Sequence, residues 1–271
     1  MGSFLQQYKL AVLALTAAAS LSAQWAPQPT PNIPKGRDGK PNLHAAVPRS
    51  SDGKPDLSGV WENPPCIKDP CPAGAHEELL PLAAQFLEIG WGMKEPLPLQ
   101  PWAKELQEAR VKTHGKDNPD AHCQPIGIIQ LHTHPYPRRI VQTPGILFIM
   151  YEKDGVFRQI YTDGRKLPED PLPWFYGYSV GKWVGDSLVV ETIGLKENWL
   201  DFRGAPMTEA AKITEKFRRV DYGNLELQLN IDDPQAYTKP FTATVNQRLM
   251  LNADLFEFFC AENEKSAVHL K

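Results

Sequence analysis

Residues 224–231 read Asn-Leu-Glu-Leu-Gln-Leu-Asn-Ile, a strict alternation that suits no helix. With a period of two, Leu225, Leu227, Leu229 and Ile231 share one face, and Glu226, Gln228 and Asn230 share the other. That is the pattern of a half-buried antiparallel strand. Strand-like segments recur at 138–143, 146–152, 156–162, 177–184, 187–193, 212–220, 238–250 and 255–260. Turn formers separate most of them: Pro144-Gly145, Asp154-Gly155, Gly185-Asp186, Asp221-Tyr222-Gly223, Asp232-Asp233-Pro234 and Asn252-Ala253-Asp254. Nine short strands joined in this way predict a mainly β fold with an antiparallel up-and-down meander. An open meander exposes two edges, so closure into a barrel of about eight to ten strands is expected.

Proline divides the chain near residue 137. Residues 24–137 carry 19 of the 26 prolines and residues 138–271 carry 7. The first part is therefore expected to be loop-rich, and the second to hold the β-barrel domain. Residues 24–58 read as a mobile Pro-rich leader. Within it Asp38-Gly39-Lys40-Pro41-Asn42-Leu43 is echoed by Asp52-Gly53-Lys54-Pro55-Asp56-Leu57, which predicts two similar turns and no solenoid. Residues 59–137 are read as a loop-and-helix segment packed on the barrel. Ser58-Gly59-Val60-Trp61-Glu62 is a first strand, and its Gly-X-Trp resembles the start of lipocalins. Residues 76–90 and 101–113 look helical; Pro101 suits a first helical position, and Arg110 and Lys112 suit a last turn.

The N-terminus reads as an address. Lys9, the apolar run Leu10–Ala19 and the small residues before Gln24 predict a secretory signal peptide over 1–23. The run is too short to span a bilayer, and no later run is long enough, so no membrane span is expected after cleavage. Periplasmic or secreted localisation follows. Export permits disulfides among Cys66, Cys71, Cys123 and Cys260, which allow three connectivities. The favoured pairing is Cys66–Cys71 across a tight segment and Cys123–Cys260 across a long one. A net charge of −3 argues against a nucleic-acid partner. No phosphate loop, dinucleotide fingerprint, nucleophile elbow or His-Glu-x-x-His appears, and no cofactor is expected.

Several constellations carry chemistry. In an extended segment His132 and His134 would point to one side and are the metal candidates; solvated imidazoles are the competing reading. Asp163 and Arg165 sit at a hairpin end and could orient a polar ligand group, or simply close a turn. Trp199 and Asp201, with Trp174, Tyr178 and Trp183, offer aromatic walls and an acid, or a ring-filled core. Finally, Arg158 shares a face with Val156 and Ile160, Glu215 with Ile213 and Phe217, and Glu257 with Leu255 and Phe259. Either those faces are outer, or the barrel interior is polar, because buried charge is costly unless paired.

The ordered string over 118–264 resembles a large family of uncharacterised exported bacterial proteins. It comprises His122-Cys123-Gln124-Pro125, Tyr161-Thr162-Asp163-Gly164-Arg165, Gly177 to Trp183, Gly185 to Thr192, Trp199-Leu200-Asp201, Phe217-Arg218-Arg219 and Ile231-Asp232-Asp233-Pro234. The resemblance implies the exported domain and no particular activity, and it directs attention to Asp163, Arg165, Trp183, Asp186, Trp199 and Asp201. The functional expectation is a binding protein for a small amphipathic or aromatic molecule in a lipocalin-like cup. Trp174, Tyr178, Trp183 and Trp199 would form walls, and Asp163, Arg165 and Asp201 polar anchors. The alternatives are a lyase, isomerase or hydrolase using Asp201 or Glu191 as base with Arg165 as charge stabiliser, and a surface interaction module with a filled core.

Overall fold

The computed structural model describes residues 29–63, 89 and 95–260. The signal segment, Cys66, Cys71 and most of the expected 76–90 helix lie outside the described residues. The strands are β1 (Gly59–Glu62), β2 (Arg138–Thr143), β3 (Ile146–Tyr151), β4 (Phe157–Tyr161), β5 (Tyr178–Val184), β6 (Ser187–Ile193), β7 (Asn198–Trp199), β8 (Pro206–Met207), β9 (Lys212–Arg219), β10 (Asn224–Asp232) and β11 (Phe241–Leu249). The helices are α1 (Pro101–Lys112) and α2 (Ile128–Thr133).

Nine of these strands close into a barrel in the order β1-β11-β10-β9-β6-β5-β4-β3-β2, and β7 and β8 form a separate two-stranded ribbon. The mainly β, closed-barrel expectation is met. Strand direction is refined by parity. A ring of nine cannot alternate throughout, so one neighbouring pair must run parallel, and it is β4 with β5. Parallel neighbours need a crossover, and residues 162–177 make it. Residues 255–260 are not a strand, contrary to expectation. Their place in the ring is taken by β1, which pairs with both β2 and β11.

The leader residues that are described make contacts with the barrel. The two echoed hexapeptides form matching turns. Lys35 bridges Pro41 and Arg49 bridges Pro55, with Gly39 and Gly53 at φ 76° and 78°. Only glycine takes such angles readily, and this is why Asp-Gly recurs at both places. The second turn is anchored by a two-pronged Arg49–Asp186 ion pair at 2.8 and 2.9 Å. Ala45 and Leu43 carbonyls accept the N–H groups of Tyr222 and Gly223, and Leu57 N–H donates to the Gln142 amide oxygen.

Alternation along each barrel strand sends one set of side chains inward. On β9 these are Ile213, Glu215, Phe217 and Arg219, and on β10 Leu225, Leu227, Leu229 and Ile231, all 5% exposed or less. The interior is packed to the point of demanding a glycine. A Cβ on Gly181 would lie 3.1 Å from side-chain carbons of both Ile160 and Leu188. Helix α2 is buried along its whole length, from Ile128 to Thr133, and fills the space beside these strands.

Candidate functional site

Arg158 on β4 and Glu215 on β9 meet inside the barrel. Each is at most 2% exposed. Arg158 Nη1 donates to Glu215 Oε1 at 2.8 Å, and Nη2 also bonds Oε2. The rest of the guanidinium is occupied by Thr192 Oγ1 at 2.7 Å and Ser179 Oγ at 2.9 Å. From α2, His132 brings Nε2 to 2.8 Å from Glu215 Oε1. The polar-interior alternative is therefore the one realised for Arg158 and Glu215, and the physical reason is mutual compensation of charge. Burial acts to raise the Glu215 pKa, yet the Arg158 charge and the bonds from Arg158 and His132 hold it down to about 2. Burial lowers the His132 pKa, outweighing the Glu215 carboxylate. The imidazole is thus neutral, and its Nε2–H donates to the carboxylate.

Arg138 at the start of β2 seats the helix. Its Nη1 donates to the His132 carbonyl at 2.8 Å, and Nη2 donates to the His134 carbonyl at 3.1 Å. Asn63 Nδ2 binds the same two carbonyls at 2.9 and 2.8 Å. A cation at a helix C-terminus also complements the dipole. Burial lowers the Arg138 pKa to about 10.

Because His132 lies on a helix, the extended-segment geometry assumed for His132 and His134 fails. His132 addresses Glu215, while His134 Nε2 lies 3.4 Å from Asp120. The two do not converge on one ion, and among the described residues no group of three His, Cys, Asp or Glu is placed to hold a metal.

Both imidazoles have depressed pKa values, chiefly from burial. The unfolded chain thus takes up protons near pH 6.5 before the native state does, and stability falls as pH drops through that range. Glu215 adds to the loss at lower pH, from about 4.5 downward to about 2. We expect the urea midpoint to decline below pH 6.5 and His132→Gln/His134→Gln to flatten the decline between pH 5 and 7. A midpoint independent of pH there would show that the imidazoles are not held neutral.

The remaining sequence candidates do not line one hollow. Asp163, Arg165 and Tyr178 do come together, but on the outer face of the β4–β5 seam. Arg165 bonds Asp163 through Nη2 at 2.6 Å and Tyr178 OH through Nη1 at 3.2 Å, and lies 3.8 Å above the Tyr161 ring. The seam has two register pairs, Ile160 with Ser179 and Tyr161 with Val180. The Arg165 stack braces it outside, and the Arg158–Ser179 bonds brace it inside. Glu191 points outward and pairs with Lys212 at 2.6 Å. Asp201 is buried but spends Oδ1 on the N–H groups of Arg203 and Ala205, both at 3.0 Å. Burial raises its pKa. Trp199 is buried beneath Arg110, Trp183 packs partly on the core, and Trp174 stands exposed on the crossover. Aromatic rings buried as core fillers account for the first two.

A groove lies elsewhere, where sequence reasoning placed none. Strand β3 is apolar on both faces: Leu147, Ile149 and Tyr151 point in, and Phe148 and Met150 point out. Phe157 of β4 joins them outside. The segment Leu255–Phe259 crosses over this outer face and leaves a space of about 440 Å³. Met150, Phe157, Phe256 and Phe259 are 42%, 56%, 57% and 56% exposed. The continuous run Ile146–Met150 was the available signal, because a strand apolar on both faces needs cover on both.

The crossing segment is held at several points. Asp254 pairs with Arg139 at 2.5 Å, and the Phe256 N–H donates to Glu152 Oε2 at 2.9 Å. The Phe258 ring packs 4.7 Å from that of Tyr136 and 5.0 Å from Lys153 Nζ. That lysine is itself fixed by Asp120 and Asp154 at 2.8 and 2.7 Å. Beyond Phe259 the chain is closed by the Cys123–Cys260 disulfide, one of the two pairings expected from the sequence.

No family model, curated protein or solved structure matches this chain.

Proposed function

We propose that this is an exported binding protein for a small amphipathic molecule with an aromatic or other apolar body, and that the ligand lies in the outer groove between β3–β4 and residues 255–259. The barrel interior offers less support for a guest, since the buried Arg158–Glu215 pair stands there with His132 bonded to it. The observation that carries the reading is the groove itself. Its volume of about 440 Å³ falls in the small-molecule range of about 300–1,000 Å³. Its lining is mostly aromatic and aliphatic, with a few polar groups at the edge, which is the usual make-up of such sites. Four large apolar side chains exposed side by side on a water-facing surface also mark a contact site more often than chance exposure. The disulfide, and the lack of a membrane-spanning helix among the described residues, are compatible with an exported protein. The enzyme alternative draws less support, since Glu191 is committed to Lys212 and Asp201 to backbone N–H groups.

The test uses the oxidised mature protein and the neutral fluorophore N-phenyl-1-naphthylamine. We expect saturable fluorescence enhancement, and loss of about tenfold or more in affinity on Met150→Ser/Phe157→Ser, equivalent to about 1.4 kcal/mol of lost apolar burial. Both substitutions are on the outer face, so far-UV circular dichroism should be unchanged. Enhancement that survives the double substitution would place the site elsewhere.

A further inference from the structure

We infer that the groove selects amphiphilic cations: molecules with an apolar body and a positively charged or quaternary ammonium head. The inference rests on the groove being the binding site and names the ligand class for it. Two of its lining residues are ionisable acids, Glu152 and Glu257, and among the described residues no Lys or Arg lines it. Glu152 Oε2 accepts the Phe256 N–H, which fixes that carboxylate at the groove edge.

The basic residues next to the walls are already neutralised. Arg139 is paired with Asp254, and Lys153, 3% exposed, is held between Asp120 and Asp154. Among the described residues, five carboxylates thus face two cations around the groove. A cationic head would gain from this excess, and an anionic head would meet repulsion. The lining adds a second attraction, because the faces of Phe148, Phe157, Phe256 and Phe259 carry negative quadrupole charge and draw ammonium groups. Phenylalanine rings beside carboxylates are a pairing that recognises quaternary ammonium chemistry by both means.

The experiment compares three probes that share a naphthalene body. They are neutral N-phenyl-1-naphthylamine, anionic 1-anilinonaphthalene-8-sulfonate and a naphthylmethyl trimethylammonium salt. The oxidised full mature protein is titrated at low and at physiological ionic strength. At low salt the cation should bind about tenfold more tightly than the neutral probe, and the anion more weakly still, as expected for partly exposed charges. The gap should narrow as salt screens it. Glu152→Gln/Glu257→Gln should level the three, since Gln at 152 keeps an acceptor for the Phe256 N–H. Phe157→Ser should weaken all three and narrow the lead of the cation without removing it. Equal binding of the three heads, or tightest binding of the anion, overturns the charge inference while leaving the groove intact. Binding of none of them overturns the groove reading as well.

Discussion

Replacing Glu215 with Leu should destabilise the protein by about 3–5 kcal/mol, among the largest effects any single substitution here would produce. The reason is not the loss of one bond. Arg158 is buried, and among the described residues its charge is matched by Glu215 alone, with the neutral hydroxyls of Ser179 and Thr192 as further partners. A guanidinium does not shed its proton to escape an apolar interior. His132 would lose the acceptor for its Nε2–H at the same time, which loosens the seat of α2. Urea unfolding monitored by tryptophan fluorescence measures the loss. The companion variant Glu215→Leu/Arg158→Met should recover most of it, since it leaves no charge unpaired. If the double variant were no more stable than Glu215→Leu, the uncompensated arginine would not be the cause.

The second large effect is expected at the Cys123–Cys260 bridge, whose partners are 137 residues apart in sequence. A closed loop of that length restricts the unfolded chain strongly, and the chain-entropy model assigns it about 5 kcal/mol, with measured losses for native bridges of about 2–5 kcal/mol. The Cys123→Ser/Cys260→Ser variant should lose unfolding free energy of that order, read from urea unfolding. It should also lose affinity for N-phenyl-1-naphthylamine out of proportion to its fold, because the bridge ends the segment that forms one wall of the groove. Protection of residues 255–259 from hydrogen exchange should fall while β9–β11 stay protected under native conditions. Unchanged exchange in 255–259 would mean that Arg139, Glu152 and Tyr136 hold the segment without the bridge.

Much of the barrel was legible along the chain because β alternation is a local property. Arg158 and Ile160, or Ile213, Glu215 and Phe217, share a face wherever the strand ends up. The echoed Asp-Gly-Lys-Pro turns were legible for the same reason, since a glycine at positive φ needs no distant partner. The Arg165–Asp163 contact is likewise a two-residue affair closed within its own turn.

The candidate site was not legible in this way. Whether Glu215 faced water or the core depended on Arg158 arriving from a strand 57 residues away. Residues 128–133 carry no strong helical signal of their own. They are helical because Arg138 and Asn63 bind the carbonyls at the helix end and the barrel buries the rest. Nothing local to Asp201 or Glu191 says that one caps a turn and the other meets Lys212.

Sequence alone thus determined which side chains stand together on each strand and where the chain turns, because those depend on neighbours two to four residues apart. Tertiary structure decided which face became the interior, which strand pair had to run parallel once nine closed a ring, and where an apolar groove opened outside. Those outcomes depend on ring closure and on charge compensation between distant segments, and neither is written in any short stretch of chain.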